Sequence, residues 1–330
     1  MFLSPSSLLF IGIVSLSTLI IISSSSFIAC WIALELNSIS FIPLIITSSG
    51  QEQRKSAVTY FLTQTLGSVF FIISALIIEV GELVPISITL VCASVRLFIK
   101  IGAAPFHAWL PRVVQGLSWR SLFLLFTIQK INPFLILGAL PSNRSFLLRI
   151  ALVSVCIGGI IGLTQTQTRI ILVFSSVNHV GWIITAITLR VDLFFTYFII
   201  YLLLLLPLIF IFSNFNLWHL NQTSSLPISR SNQLLVFSSL LSLGGLPPFI
   251  GFLPKWTVLQ NVIDSHLFLA GAILVFTSLL TLFYYLRLTI SSFTLSKNII
   301  YPSLPRRSIN SVLVGLLVIT LLGLPIVILI

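Results

Sequence analysis

Long apolar runs separated by short polar stretches dominate the chain. A helix needs ~20 mostly apolar residues to cross a bilayer. Runs of about that length lie near residues 5–22, 26–46, 56–79, 86–115, 119–140, 146–163, 169–188, 193–213, 233–262, 266–290 and 309–330. The first run lacks a basic start and a small-residue cleavage site, so we interpret it as a membrane helix and not as a signal peptide. The connections are too short for a soluble domain, so the pattern predicts one all-α polytopic membrane protein of about eleven helices.

Two of the runs, 86–115 and 233–262, are long for one crossing and contain helix-breaking residues. The first is interrupted by G-A-A-P at 102–105 and the second by G-G-L-P-P at 244–248. A proline inside a helix removes a hydrogen bond and clashes with the preceding turn. Interrupted segments at matching places in two halves of a membrane protein indicate an inverted repeat around a functional site.

The positions of the interruptions predict the internal organisation. They fall in the fourth and ninth spans, which makes each the fourth of five helices. We therefore predict two inverted five-helix repeats, residues 1–140 and 146–290, followed by a C-terminal helix at 309–330.

The composition agrees with a membrane protein and excludes several kinds of site. Hydrophobic residues make up 57% of the 330 residues and charged residues 7%, whereas soluble domains average about 25% charged. The three cysteines lie in apolar runs without a C-x-x-C pair, which argues against iron–sulfur ligation and a disulfide framework. No dinucleotide or P-loop motif is present, so we expect any redox chemistry to take place on another chain.

The net charge of +11 is scattered through the polar connections, which favours the positive-inside effect over nucleic-acid binding. The side that shares the N-terminus carries Arg54, Lys55, Arg112, Arg120, Arg169, Arg230, Arg287, Lys297, Arg306 and Arg307. The other side carries Arg144, Arg149 and Arg190, together with Glu79, Glu82, Asp192 and Asp264. This asymmetry predicts that the N-terminus faces the cytoplasm-equivalent compartment.

A few ionisable residues remain inside the apolar runs. They are Glu35, Arg96, Lys100, His107, Lys130, His179 and Lys255. Ionisable residues within membrane segments are costly and typically mark ion or proton pathways. Burial disfavours the charged form of an amine and a nearby carboxylate favours it, so a lysine beside a titrating acid can hold and release a proton.

We predict a proton path through Glu35, Lys100, Lys130, Lys255 and His179, with His107 as a secondary candidate. Under the proposed repeat, Glu35 and His179 hold equivalent places, and so do Lys100 and Lys255. All of these residues except Lys100 have a structural alternative: Lys130 and Lys255 could extend to the interface, Glu35 could be a structural ion-pair partner, and the histidines could be packing residues. Arg96 is interpreted as structural, or as reaching the interface.

Five motifs in order along the chain resemble the antiporter-like subunits of respiratory complex I. They are W-I-A-L-E-L-N-S-I-S-F-I-P at 31–43, K-I-G-A-A-P-F-H-A-W-L-P at 100–111, Q-K-I-N-P at 129–133, S-S-V-N-H-V-G-W at 175–182 and L-S-L-G-G-L-P-P-F-I-G-F-L-P-K-W at 241–256. The resemblance implies that Glu35 pairs with Lys100 and that Lys130 and Lys255 continue a hydrated axis. His179 matches the histidine of that family.

The resemblance also implies a place in the mitochondrial inner membrane, with the N-terminus on the matrix side and no redox centre on this chain. The implied partners are other membrane-arm subunits, protons and internal water, and membrane lipid, with cardiolipin as a candidate. Arg112 and Asn132 depart from the family pattern and are expected to affect local loop packing.

Two other functions stay open. A cation/proton antiporter of the same superfamily would need a second intramembrane carboxylate to coordinate the cation, and only Glu35 is available. The chain could also be a passive scaffold of the membrane arm. A scaffold would not require the buried lysines to gain and lose protons.

Overall fold

A computed structural model describes residues 5–24, 26–46, 50–80, 86–141, 143–219 and 230–294. The predicted C-terminal helix at 309–330 lies outside these ranges. The described part of the chain forms α-helices α1 Pro5–Ser23, α2 Phe27–Ile45, α3 Gln51–Val80, α4 Ile86–Ile101, α5 Trp109–Gly116, α6 Trp119–Phe126, α7 Ile128–Ala139, α8 Arg144–Thr164, α9 Thr168–Leu189, α10 Val191–Phe215, α11 Arg230–Gly244, α12 Phe252–Asp264 and α13 Phe268–Thr294.

The prediction of an all-α polytopic membrane protein is confirmed. Within the described ranges, eight helical segments are long and apolar enough to cross a membrane. Each predicted span up to residue 290 coincides with one helix or with a pair of helices. Both predicted interruptions are present, between α4 and α5 and between α11 and α12. The total number of spans and the inverted repeat stay predictions.

One interruption was not predicted. The span at 119–140 was expected to be continuous, but it divides into α6 and α7 at Thr127, whose φ and ψ of −109° and −87° are not helical. The Thr127 hydroxyl donates to the Phe123 carbonyl oxygen at 2.7 Å. Back-bonding of this kind competes with the helical backbone pattern and bends helices. Lys130 therefore lies in the first turn of α7, and not in the middle of a helix.

The chain forms two compact units, residues 1–153 and 154–330. In the first unit, α2 packs against α1, α3 and α7, and α4 packs against α3 and α7. In the second unit, α9 packs against α10, α12 and α13. Every residue of α9 from Thr168 to Thr188 is buried, as expected for a helix that is mostly apolar on all sides.

Both predicted interruptions begin with the same backbone feature. A glycine with positive φ directly follows the last residue of each first helix: Gly102 after α4, with a φ of +76°, and Gly245 after α11, with a φ of +80°. The amide of the residue after each glycine bonds a carbonyl five residues back, Ala103 to Phe98 at 3.0 Å and Leu246 to Leu241 at 3.4 Å. This is the helix end in which a left-handed glycine satisfies the last carbonyl groups.

The two glycines also define a register between the interrupted segments. When residues 102–111 are aligned with residues 245–254, five positions are identical: glycine, proline, phenylalanine, leucine and proline, in that order. In this register Lys100 precedes its glycine by two residues, whereas Lys255 follows its glycine by ten. The expectation that these lysines hold equivalent places is therefore wrong, because they lie on opposite sides of the interruption.

Candidate functional site

The Glu35 carboxylate of α2 faces two cations that project from α4. Its Oε1 atom lies 3.1 Å from Arg96 Nη2 and 3.9 Å from Lys100 Nζ. The Glu35 side chain is 17% exposed, while those of Arg96 and Lys100 are 0% and 5% exposed. One carboxylate is therefore shared between two buried positive groups.

The Lys100 amine is held by more than its ion pair. Nζ donates to the Leu34 carbonyl oxygen of α2 at 2.8 Å. Lys100 also lies in the last turn of α4, where the unpaired carbonyl groups of the helix favour a cation. These groups explain why an amine remains inside this unit instead of extending to the interface.

Arg96 belongs to this cluster, although the sequence pattern suggested a structural or interfacial role. Its guanidinium is fully buried, which rules out the interfacial alternative. Besides Glu35, it contacts the Ser68 carbonyl oxygen at 3.4 Å and lies 4.7 Å from the centre of the Phe71 ring. The spacing from Arg96 to Lys100 is the signal that could have identified it, since side chains four residues apart share one face of a helix.

A small cavity beside Lys100 is lined mainly by polar side chains. These come from α2, α3, α4 and α7 and include Asn37, Ser38, Tyr60, Gln64, Lys100 and Gln129. The space in this cavity that the centre of a water molecule can occupy is ≈ 10 Å³. A volume of this size holds about one water molecule. The Tyr60 hydroxyl donates to Gln129 Oε1 at 3.0 Å, and Gln129 Nε2 donates to Asn37 Oδ1 at 3.0 Å. The motif that contains Gln129 was recognised for its lysine, and the hydrogen-bonding role of the glutamine was missed.

Lys130 follows Gln129 but is placed differently. The residue is 2% exposed. Its Nζ lies 5.4 Å from the centre of the Phe126 ring and, among the described residues, has no hydrogen-bond partner. The first turn of a helix opposes a cation, because the free amide groups there carry partial positive charge. Lys130 thus stays inside the unit without any of the support that Lys100 has.

Lys255 lies at the second interruption, in the first turn of α12. The residue is 5% exposed, so it does not extend to the interface. Its Nζ donates to the Gly244 carbonyl oxygen at 2.7 Å, at the end of α11. The stem of the lysine passes Gly245 so closely that a Cβ atom there would lie 2.8 Å from Lys255 Cδ. The interruption therefore both frees the carbonyl group and provides the space for this amine.

His179 of α9 belongs to an aromatic group in the second unit. Its Nδ1 lies 3.0 Å from the Tyr197 hydroxyl, and its ring centre lies 4.9 Å from that of Tyr201. Tyr197 stacks on Trp182 with ring centres 6.4 Å apart, and Lys255 Nζ lies 5.8 Å from the Trp182 ring centre. Tyr197 is thus the neighbour of His179 and Trp182 lies near Lys255, and the sequence pattern singled out neither aromatic residue.

The remaining named residues lie away from these groups. His107 lies half-buried in the segment between α4 and α5 and does not line the cavity beside Lys100. Asn132 was expected in loop packing but is fully buried in α7, where its Nδ2 donates to Ser17 Oγ of α1 at 3.0 Å. Arg112 is exposed in α5. The described residues contain no group of three or more His, Cys, Asp or Glu that could hold a metal ion.

The sequence of the chain is similar to a family described as NADH:quinone oxidoreductase/Mrp antiporter, TM, over residues 24–281. NADH-ubiquinone oxidoreductase chain 2 of Anopheles gambiae is 40% identical over 294 residues, which cover 87% of this chain and 86% of that protein. The same protein of Locusta migratoria is 35% identical over 297 residues, which cover 88% and 86%.

The fold is similar to a chain of respiratory complex I from Thermus thermophilus. The TM-score is 0.86 at 24% sequence identity, and the superposition covers 97% of this chain and 78% of that chain. At this identity the likeness concerns the fold.

Proposed function

Because the chain belongs to the NADH:quinone oxidoreductase/Mrp antiporter family and groups with chain 2 of the NADH-ubiquinone oxidoreductases, we propose that it translocates protons as an antiporter-like membrane subunit of complex I. The observation that carries this proposal is the buried Lys100 amine, 3.9 Å from the Glu35 carboxylate. Burial disfavours the charged amine and the carboxylate favours it, so the proton occupancy of Lys100 depends on the state of Glu35.

We assign the resting proton of the first unit to Lys100. A carbonyl group, a carboxylate and the C-terminal end of α4 all favour its charged form. Lys130 lies in the opposite electrostatic setting, the first turn of α7. A proton that leaves Lys100 would move past Gln129 and Asn37, whose hydrogen bonds lead from the cavity toward α7. The buried Gln64 amide and Lys130 amine are groups that internal water would bond.

In the second unit we propose that Lys255 and His179 carry the proton, with the Tyr197 hydroxyl as the hydrogen-bond partner of His179. Lys255 is a short-lived carrier, because the first turn of α12 opposes its charge and no carboxylate is among its described contacts. His179 is suited to this role because imidazole exchanges a proton near neutral pH. His107 remains a secondary candidate at the first interruption.

The setting follows from the family. We propose that the chain lies in the mitochondrial inner membrane with its N-terminus on the matrix side, among other membrane-arm subunits, internal water and lipid that includes cardiolipin. NADH, FMN, iron–sulfur clusters and ubiquinone are expected on other subunits. Moving one elementary charge across the membrane costs ~2.3 kcal/mol per 100 mV, so the drive comes from the redox chemistry of those subunits.

The test replaces Lys100 and Lys130 by methionine, singly, in the assembled complex. Methionine is apolar and of similar length, so packing is kept and the titrating group is lost. We expect each variant to assemble and to lose NADH-driven proton translocation in sealed vesicles. Lys55→Met is the matched control, since that side chain is 70% exposed.

The two alternatives predict other results. A passive scaffold would retain translocation in both variants, and that outcome would overturn the proposal. A sodium- or potassium-coupled antiporter would show turnover that depends on the cation. The position of Glu35 argues against an antiporter of this kind. The Arg96 and Lys100 cations already compensate the charge of its carboxylate, which weakens its attraction for a metal cation.

A further inference from the structure

We propose that Arg96 is the permanent counter-ion of Glu35, and that it thereby allows Lys100 to release its proton without leaving a partly buried carboxylate unpaired. Arg96 is in this sense a positioning residue that acts through Glu35. The inference rests on the proposed proton translocation and assigns to Arg96 a role in it.

The geometry makes Arg96 the closer partner of Glu35. Its Nη2 lies 3.1 Å from Oε1, whereas Lys100 Nζ lies 3.9 Å from the same atom and makes its short hydrogen bond, 2.8 Å, to the Leu34 carbonyl oxygen instead. The carboxylate is thus paired mainly with the arginine. Lys100 lies close enough to Glu35 for an electrostatic attraction, but the two side chains do not form a hydrogen bond.

Arg96 is fixed in this position by groups that do not titrate. Its Nη1 contacts the Ser68 carbonyl oxygen, and its guanidinium carbon lies 4.7 Å from the centre of the Phe71 ring. The face of an aromatic ring attracts a cation. An arginine side chain also stays protonated in proteins. The Arg96–Glu35 pair therefore persists whether or not Lys100 carries its proton.

Counting charges shows what the arginine changes. With Arg96 present, the three residues carry one net positive charge when Lys100 is protonated, and they are neutral when it is not. Without Arg96, the Lys100–Glu35 pair is neutral when Lys100 is protonated, and deprotonation leaves a lone, partly buried carboxylate. Because an unpaired buried charge is strongly unfavourable, Arg96 makes the deprotonated state of Lys100 accessible.

The test is Arg96→Met in the assembled complex, with proton translocation and electron transfer measured separately. We expect NADH-driven translocation to fall by at least about ten-fold, since Lys100 and Glu35 then form a closed ion pair. Arg96→Lys should recover part of the loss, because a cation is restored without the planar guanidinium. Arg190→Met is the control, since that arginine is exposed.

A neutral polar variant separates this role from simple packing. Arg96→Gln keeps a side chain that can donate to the Ser68 carbonyl oxygen but carries no charge. We expect Arg96→Gln to lose translocation as Arg96→Met does, and Arg96→Lys to translocate more than either. A residue that only fills space would give Arg96→Gln and Arg96→Lys the same activity, and that outcome would overturn the proposal. If Arg96→Met fails to assemble, the comparison of Arg96→Gln with Arg96→Lys decides.

The outcomes also separate this inference from the proposed function. Translocation that survives Lys100→Met overturns both. Translocation that is lost in Lys100→Met but retained in Arg96→Met overturns only the role of Arg96.

Discussion

The two interrupted helices, α4–α5 and α11–α12, share a backbone device but carry different electrostatics. Each first half ends at a left-handed glycine, Gly102 or Gly245, within a common pattern of proline, phenylalanine and leucine. In the first, the lysine precedes the glycine and lies near a carboxylate and a helix C-terminus. In the second, the lysine follows the glycine, lies in a helix N-terminal turn and donates to a freed carbonyl group.

The difference shows that a broken helix can serve a buried amine in two ways. At Lys100 a carbonyl group, a carboxylate and the helix end favour the charged form, and we propose that Arg96 limits how firmly the proton is held. At Lys255 a single carbonyl group accepts from the amine and the helix end opposes its charge. A residue that stores a proton and a residue that passes one on would differ in this manner.

The largest effect that tests this comparison is expected from Gly251→Ala. A Cβ atom at Gly251 would collide with the Ser242 carbonyl group, which is backbone and has little room to move. The first interruption has an alanine, Ala108, at the corresponding position, so the requirement is specific to the second. We expect destabilisation of more than about 3 kcal/mol, the upper end of ordinary overpacking, measured as loss of assembled complex.

The control for this prediction is Gly138→Ala. Its Cβ would meet no atom within 4 Å, and alanine is favoured over glycine in a helix by about 1 kcal/mol. Assembly should be unchanged or slightly improved. Normal assembly of Gly251→Ala would mean that the two interruptions tolerate the same substitutions, and the comparison would lose its steric basis.

An intermediate effect is expected from Gly245→Ala. The left-handed conformation costs an alanine about 1–2 kcal/mol, and the new Cβ would lie 2.8 Å from Lys255 Cδ. The lysine stem must shift, which weakens its bond to the Gly244 carbonyl oxygen. We expect modest destabilisation and a clear loss of translocation in the complex that assembles.

Gly102→Ala is the matched variant at the first interruption. The backbone strain is the same, but the new Cβ meets the Leu110 side chain and not a lysine. Equal stability losses with a larger translocation loss in Gly245→Ala would support the link between Gly245 and Lys255. Equal losses of translocation would contradict it.

The smallest effect is expected from single hydroxyl deletions in the two units. Tyr197→Phe removes the 3.0 Å contact with His179, and Tyr60→Phe removes the 3.0 Å hydrogen bond to Gln129. Each should cost about 1 kcal/mol in stability, measured by thermal unfolding of the purified complex. We also expect Tyr197→Phe to slow translocation, since its hydroxyl is the hydrogen-bond partner of His179 in the proposed path. Unaltered translocation would remove Tyr197 from the proposed path.

The helices and their principal interruptions followed from the sequence because hydrophobic length and Gly/Pro placement are strong local signals. Thr127 shows the limit of these signals: its non-helical backbone lies inside an apolar run, and neither glycine nor proline stands at that position. The partners of the charged residues depend on packing between distant helices. Periodicity places Arg96 and Lys100 on one face of α4, but it does not indicate that this face meets Glu35. The polar side chains Asn37, Tyr60 and Gln129 come from three helices and become a group only in the folded chain.

Helix α9 illustrates a consequence of such packing for how the chain is built. Its mean hydropathy of 1.8 is high enough for insertion into a bilayer on its own, yet from Thr168 to Thr188 it ends up without any exposed side chain. A helix that inserts alone and is later enclosed in this way exchanges lipid for protein neighbours. The sequence of α9 must therefore suit both the lipid bilayer and the protein interior. A substitution that still allows membrane insertion can prevent the later packing against protein neighbours.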